Sequence, residues 1–125
     1  MTSDKNTALV RDFMETVWNQ GRTDSAATYV AAGLLQHNPH LPDGLDALTG
    51  LVDTLRGQMP RLRFDIRRTA ADGDLVFVHS HFTPAPGETG QAVVDIFRVE
   101  EGLIAEHWDV HQEIPATTAS GRPTV

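Results

Sequence analysis

Four ionisable side chains on two apolar segments near the C-terminus have the types and the spacing for acid/base chemistry. Asp95 lies within the run Val93–Val99, and His107, Asp109 and His111 alternate along the next apolar segment. Side chains alternate between the two faces of a strand, so the last three share a face. Proton abstraction beside a carbonyl needs a base tuned towards neutrality, and a carboxylate next to an imidazole supplies such tuning. The pattern predicts His107 or Asp109 as the proton carrier and Asp95 as its orienting partner or as a proton donor to an enolate.

The turn between the two segments decides whether these groups meet, because a shift of one residue moves every side chain to the other face. A three-residue loop, Glu100–Gly102, places Asp95 opposite His107. A loop of even length places Asp95 beside Trp108 instead. We favour the odd loop because it collects the polar groups on one face, together with Ala105, and leaves Trp108 in the core.

Further side chains are candidates for lining the same pocket. A proline-restricted loop, Gln36–His40, holds polar groups just before the next helix, and a strand carries the pair His79 and His81 on a face with Leu75 and Phe77. A lining that mixes apolar and polar groups is typical of small-molecule pockets. The alternatives are turn chemistry in the loop and an ordinary solvated sheet face. The candidate substrate-binding residues are His37, Asn38, His79, His81, Phe97 and His111, of which Asn38, His79 and His81 are candidate oxyanion donors.

Length and composition exclude several classes of protein. A chain of 125 residues fits one domain with one core. A net charge of −7 argues against nucleic acid and anionic membranes as partners. No apolar run is long enough for a membrane span, and the first residues do not resemble a signal segment, so we expect a cytoplasmic protein. The absence of cysteine excludes disulfides and thiolate chemistry.

The apolar spacing predicts helices followed by strands, hence an α+β domain with helices on one face of a curved sheet. Residues 1–114 form the domain, and residues 115–125 lack periodicity and form a flexible tail. Helices are expected around Leu9–Val17 after a cap at Ser3 or Asp4, from Asp24 to Gly33, and from Asp43 to Gly57; strands are expected at Leu62–Thr69, Leu75–Thr83, Gln91–Glu100 and Leu103–Glu113.

The order of these elements and one motif carry a family resemblance. From about Asn6 to Pro115 the chain resembles the SnoaL-like polyketide cyclase group of the NTF2-like superfamily, with the pattern Asp-x-Phe-Arg-x-x-x-Gly-x-Ile-x-Glu-His-Trp-Asp at residues 95–109. The resemblance implies a cone-shaped α+β barrel, three N-terminal helices on a mainly antiparallel sheet, and a homodimer. It also implies aldol condensation or cyclisation of a small apolar or aromatic carbonyl compound, without metal or organic cofactor. Asp95, His107 and Asp109 match the catalytic region.

Two related activities fit the residues poorly. Ketosteroid isomerases of the superfamily carry a general-base Asp just before the loop proline, where this chain has Asn38. Epoxide hydrolases need an Asp-Arg-Asp set, and Arg98 alternates onto the face opposite Asp95.

Two alternatives of other classes stay open. The first is a metal site, since five nitrogen and oxygen donors would suit zinc or iron if they converged: His79, His81, His107, Asp109 and His111. The second is a module that binds a small molecule without catalysis, because a fold does not by itself imply a function.

Overall fold

The computed structural model describes residues 2–125 and contains two α-helices and five strands. In chain order, the elements are α1 (Thr2–Phe13), a π-helical turn (Met14–Asn19), a 3-10 helix (Thr23–Thr28), β1 (Val30–Gln36), α2 (Leu45–Gln58), β2 (Arg63–Asp72), β3 (Leu75–Thr83), β4 (Gln91–Glu100) and β5 (Leu103–Glu113). The predicted α+β class is confirmed. Among the described residues, no helix has the length and apolar composition needed to cross a bilayer.

The five strands form one curved, unclosed sheet in the order β1-β5-β4-β3-β2. Strands β2 to β5 are antiparallel neighbours, as the consecutive hairpins predict, and β1 joins the edge parallel to β5. The carbonyl of Tyr29 accepts a hydrogen bond from the backbone N–H of Ile104 at 2.7 Å, and that of His107 accepts one from His37 at 2.9 Å. Strand β1 therefore brings the Gln36–His40 loop next to β5.

The predicted helix from Asp24 to Gly33 is wrong in its second half. The 3-10 helix ends at Thr28, and Val30 begins β1. A strand at this position satisfies the backbone donors and acceptors along β5, which a helix would leave unpaired. Pairing across the sheet therefore outweighs the helix propensity of this alanine-rich segment.

Both α-helices pack on one face of the sheet, which we call the inner face; the opposite side is the outer face. The predicted apolar stripe of α1 is confirmed by the burial of Val10 and Phe13, and α2 buries Leu48 and Val52. Helix α1 already begins at Thr2, so the expected cap residues lie within its first turn. The buried residues of β2 to β4 on the inner face include Phe64, Val76, Val78, Val93 and Phe97.

The π-helical turn at the end of α1 aims two large side chains into the space beneath the helices. Met14 and Trp18 both line this space. Asn19 fixes the turn to the sheet, because its side chain donates a hydrogen bond to the carbonyl of Phe64 at 2.9 Å and accepts one from the backbone N–H of Phe64 at 2.8 Å. Single π turns inside helices are frequent at functional sites.

The turn between β4 and β5 differs from the predicted one. Glu101 and Gly102 have φ of 51° and 77° and form a two-residue turn in which Glu100 pairs with Leu103. Such turns match the twist of antiparallel strands. The predicted three-residue loop is therefore wrong.

A β-bulge at Ala105 reverses the consequence of this shorter turn. Val99 pairs with Ile104 and Arg98 with Glu106, so Ala105 has no partner on β4. The extra residue shifts the alternation of all later residues of β5 by one position. The polar residues of β5 consequently lie on the inner face, as predicted, and they share that face with Ile104 instead of Ala105.

Residues 114–125 form no helix or strand. Their backbone makes a turn in which the N–H of Gly121 donates to the carbonyl of Thr118 at 3.2 Å, and Arg67 of β2 approaches the carbonyl of Val125 at 3.5 Å. The flexibility of this tail stays a prediction.

Candidate active site

Neighbouring positions on β4 and β5 bring the predicted acid/base residues together on the inner face. Asp95 lies directly opposite Asp109, and Phe97 lies opposite His107. The predicted direct pairing of Asp95 with His107 is wrong, because His107 lies opposite Phe97, the next residue of β4 on the inner face. The two side chains nevertheless meet diagonally, with His107 Nε2 at 2.8 Å from Asp95 Oδ1.

Both ring nitrogens of His107 have partners. Its Nδ1 lies 2.7 Å from Gln36 Oε1, which also accepts a hydrogen bond from the backbone N–H of Asn38 at 3.1 Å. Since this amide oxygen can only accept, Nδ1 carries a proton. The contact between Nε2 and Asp95 then holds one more proton, which belongs either to the ring or to the carboxyl group.

One oxygen of Asp95 has no hydrogen-bond partner among the described residues. Asp95 is only 6% exposed, and it lines the cavity beneath the helices. Its Oδ1 contacts His107, whereas its buried Oδ2 is unpartnered. Buried carboxylate oxygens are normally hydrogen-bonded, so the unpartnered Oδ2 of this cavity-lining residue has a free lone pair for a ligand.

Asp109 is held as a carboxylate by its neighbours. Asn38 Nδ2 donates to both of its oxygens, at 3.1 and 2.9 Å, and His111 Nε2 lies 3.2 Å from Oδ2. Burial alone would raise the pKa of Asp109, but the hydrogen bonds from His111 and Asn38 and the charges of His107 and His111 outweigh burial and place that pKa below its ordinary value. Asp109 is therefore a weak base.

His111 is the partner of Asp109 at the solvent-exposed end of the cavity. Its hydrogen bond to Asp109 raises its pKa above the ordinary value; burial opposes this shift, and the negative charges of Asp109 and Asp95 support it. Its Nδ1 lies 3.0 Å from Gln91 Oε1, and the Gln91 amide nitrogen donates to Glu113 at 2.6 Å. The side chain of His111 is 39% exposed, so this end of the network reaches solvent.

The cavity has a volume of about 320 Å³ and two chemically different walls. One wall is polar and comes from β4, β5, the end of β1 and the loop that follows it. The other is apolar and comes mainly from the helices and from β2 and β3, with Val30 and Leu34 of β1, Phe97 of β4 and Ile104 of β5. The polar wall contains Gln36, Asn38, His40, Gln91, Asp95, His107, Asp109 and His111; the apolar wall includes Phe13, Met14, Trp18, Leu48, Leu51, Leu55, Met59, Phe64 and Phe82. Such a space suits a small, mostly apolar molecule with polar groups along one edge.

Comparisons with known proteins agree with this architecture. The model of the SnoaL-like domain family matches residues 10–107, which is more than half of the chain. The chain belongs to this family. Comparison with curated protein sequences gives no match.

Solved structures with the same fold include three of bacterial origin. A proposed polyketide cyclase from Acidithiobacillus ferrooxidans has 21% identity and a TM-score of 0.71, with 86% of this chain and 88% of that chain covered. TsrD from Streptomyces laurentii has 20% identity and a TM-score of 0.74, covering 87% and 89%. A SnoaL-like protein of unknown function from Burkholderia thailandensis has 16% identity and a TM-score of 0.74, covering 90% and 98%. At these identities the likeness supports the fold alone.

In this SnoaL-like domain, His79 and His81 do not reach the cavity, and their prediction as substrate-binding residues is wrong in placement. On β3 the inner face belongs to Val76, Val78 and Ser80, so the two histidines lie on the outer face. His79 contacts Arg68, and His81 lies 3.4 Å from Arg67. Burial and the charges of Arg68 and Arg67 lower the pKa of His79.

His37 also lies outside the cavity of the SnoaL-like domain. Its ring stacks on Trp108 with centroids 4.7 Å apart, and its Nε2 lies 2.7 Å from Glu106. This pair belongs to the outer face, so Trp108 is partly exposed and not the core residue that the alternation predicts. Because side chains alternate along β5, Trp108 was correctly predicted to lie outside the cavity with His107 inside. Trp108 is nevertheless partly exposed, because the helices cover only the inner face.

Of the remaining predicted residues, Asn38, Phe97 and His111 line the cavity with the three acid/base candidates. The polar cavity residues Gln36, His40 and Gln91 were not among the candidates, and of these Gln36 and Gln91 contact His107 and His111. The signal for Gln36 is its place at the end of a strand parallel to β5, and the first half of that strand was predicted as the end of a helix.

The five possible metal donors do not converge, because His79 and His81 are on the outer face. Among the described residues, one set has ligand atoms that all lie within 4.8 Å of one another: Asp95, His107 and Asp109. The cytoplasmic location stays a prediction.

Proposed function

We propose that this SnoaL-like domain carries out acid/base chemistry on an enolisable carbonyl compound, of the aldol condensation or cyclisation type, using its own side chains. The observation that supports this most directly is the unpartnered, buried Oδ2 of Asp95, a residue that lines the cavity and whose other oxygen contacts His107. A carboxyl group in this setting can take a proton from carbon and return one to oxygen.

The geometry favours Asp95 as the proton carrier in place of His107 or Asp109. Both nitrogens of His107 are engaged by Asp95 and Gln36, and both oxygens of Asp109 are engaged by Asn38. In the proposed reaction, Asp95 Oδ2 accepts the proton from the carbon next to the carbonyl as the C–H electrons form the enolate. The enolate carbon then bonds to a second carbonyl carbon, and the resulting alkoxide takes the proton back from Asp95.

His107 acts in this scheme as a positioning residue. Its Nδ1–H is fixed by Gln36, so Nε2 faces Asp95 in every protonation state. When Asp95 has accepted a substrate proton, the pair carries one more positive charge than before, which stabilises the enolate. His111 and Asn38 are the polar groups of the cavity that can stabilise the developing oxyanion.

We propose a neutral, apolar or aromatic carbonyl compound as the ligand class. The apolar wall matches the body of such a molecule, and the polar wall matches a row of oxygen atoms along its edge. Trp18 lies in the apolar wall, whereas Trp108 lies on the outer face. A Trp108→Phe variant therefore isolates Trp18 fluorescence as a reporter of cavity occupation.

Deuterium exchange tests the reaction without knowledge of the natural substrate. We expect the protein to accelerate exchange at the activated carbon of aromatic β-keto esters in D2O, measured by proton NMR. Asp95→Asn should slow this exchange about 100-fold or more, because the variant removes the proton carrier. His79→Gln, on the outer face, is the matched control and should retain the wild-type rate.

Two outcomes would count against the reaction. Equal rates for wild type and Asp95→Asn exclude Asp95 as the carrier. Quenching of Trp18 by the esters without accelerated exchange identifies the cavity as a binding site without catalysis, which is the alternative predicted from the sequence.

We also propose that the outer face forms a homodimer. This face carries an apolar strip from β3 to β5, in which Val110 is 65% exposed. The strip consists of Phe77, Val94, Ile96, Trp108 and Val110. Light scattering after gel filtration should give a dimer for the wild type and a monomer for Val110→Glu, with Gln58→Glu at the end of α2 as the control. A monomeric wild type would contradict the proposal.

A further inference from the structure

The acid/base site has the donor set of a divalent cation site. Asp95 on β4 and His107 and Asp109 on β5 offer ligand atoms that all lie within 4.8 Å of one another. Ligands of a four- to six-coordinate zinc-type ion, bound at about 2.0–2.2 Å, lie about 3 to 4 Å apart. We propose that these three side chains bind one divalent cation of the zinc type, in the place of the proton held between Asp95 and His107.

The hydrogen bonds around His107 prepare its Nε2 as a ligand. Gln36 Oε1 accepts the Nδ1 proton at 2.7 Å, so in the neutral ring Nε2 presents its lone pair towards Asp95. Metal-bound histidines almost always donate their second ring N–H to an oxygen in this way, which fixes tautomer and ring orientation. The backbone N–H of Asn38 holds the same Gln36 oxygen in place at 3.1 Å.

The unpartnered oxygen of Asp95 is a second, independent indication. Asp95 lines the cavity and is 6% exposed, and its buried Oδ2 has no hydrogen-bond partner among the described residues. A cation would use this lone pair. Asp109 brings the second carboxylate, and Asn38 and His111 hold it in place.

The ligand types select the class of metal. One imidazole and two carboxylates favour zinc, cobalt or iron over magnesium and calcium, which prefer oxygen ligands alone. Three protein ligands leave positions open towards the cavity, as in catalytic and not in structural zinc sites. The cation would occupy the lone pairs that Asp95 needs for proton transfer, so we expect it to inhibit exchange; this consequence rests on the proposed function, whereas the binding does not.

The chain contains a second histidine pair that serves as a control for the test. His79 and His81 alternate on β3, a spacing that also suits a metal ion, but they contact Arg68 and Arg67 on the outer face. The two guanidinium charges repel a cation. We therefore expect no site at this pair.

Titration of the untagged protein with Co2+ tests the proposal. We expect one equivalent to bind, with the visible absorption of a cobalt ion that has nitrogen and oxygen ligands, and Zn2+ to displace it. Asp95→Asn and His107→Gln should each weaken binding more than about 100-fold, since even loss of a supporting hydrogen bond costs about 10- to 100-fold. Gln36→Met removes only the hydrogen bond to His107 Nδ1, so this variant should weaken binding by about 10- to 100-fold.

The His79→Gln/His81→Gln double variant is the control and should bind Co2+ as the wild type does. Loss of binding in this variant, or unchanged binding in folded Asp95→Asn and Gln36→Met, overturns the proposal, as does a wild type that binds no Co2+. Circular dichroism spectra establish folding for each variant. Exchange activity in metal-free protein is measured separately, so failure of the proposed reaction leaves the binding result interpretable.

Discussion

The two faces of the sheet use the same sequence pattern for different purposes. On β3, His79 and His81 alternate on the outer face beside arginines; on β5, His107, Asp109 and His111 alternate on the inner face beside carboxylates and amides. The pKa of His79 is lowered by burial and by Arg68 and Arg67, whereas the pKa of His111 is raised by its hydrogen bond to Asp109. The electrostatic role of a histidine therefore follows from the face it occupies.

Helix coverage is the physical origin of the difference between the faces. The helices cover the inner face, so the polar groups there are withdrawn from water and most of them hydrogen-bond to one another, with Ser80 Oγ and Asp95 Oδ2 as exceptions. The outer face has no such cover in the described chain, and its charged groups stay in contact with solvent. The cavity and its prepared hydrogen bonds therefore lie on the inner side.

The largest effect is expected from truncating one aromatic residue on each face. Phe97 is 3% exposed and packs edge-on against Phe13 at 5.8 Å and against the ring of His107 at 4.9 Å. Phe97→Ala should lower the unfolding free energy by about 3–5 kcal/mol. Phe77→Ala, on the partly exposed outer face, should cost less than half as much. Thermal and denaturant unfolding compare the two, and equal losses would contradict the contrast between the faces.

The smallest effect is the pH dependence of the two histidines. The pKa of His111 is raised in the folded state, so its stabilisation is complete below pH 6.5, its ordinary pKa, and is lost as pH rises through the raised value. The pKa of His79 is lowered, so the unfolded state binds more protons just below pH 6.5, and stability falls there as pH decreases.

Measurements of unfolding free energy between about pH 5 and pH 9 should show these opposite trends. His111→Gln should lose less than about 1 kcal/mol near pH 6, because solvent screens the partly exposed pair, and nothing near pH 9. His79→Gln should gain relative to wild type only on the acid side. Parallel pH profiles for the two variants would show that the faces do not differ in this way.

Local patterns were sufficient to predict most of the fold. The last four strands agree with the structure to within a few residues at their ends, and the helices around Val10 and Val52 have the predicted buried stripes. These elements have strong periodicity, and their connections contain turn-forming glycine. Strand β1 was missed because its identity depends on pairing with β5, about seventy residues later in the chain.

The sequence predicted which residues belong to the candidate site better than it predicted how they are arranged. The prediction that Asp95, His107 and Asp109 share one face needed only the alternation of side chains along a strand and the choice between a loop of odd and of even length. The actual register needed two compensating features, a shorter turn and a bulge, that the sequence does not display. The exclusion of His79 and His81 needed the knowledge of which face the helices cover.

The sequence by itself determined the α+β class, the hairpin and the residue types available for acid/base chemistry, because these follow from periodicity and composition within short windows. Tertiary structure decided that β1 delivers Gln36 to His107, that Asp109 faces Asp95, and that one oxygen of Asp95 stays unpartnered in the cavity. These features depend on contacts between residues far apart in the chain, and their geometry is fixed only when the sheet and the helices pack together.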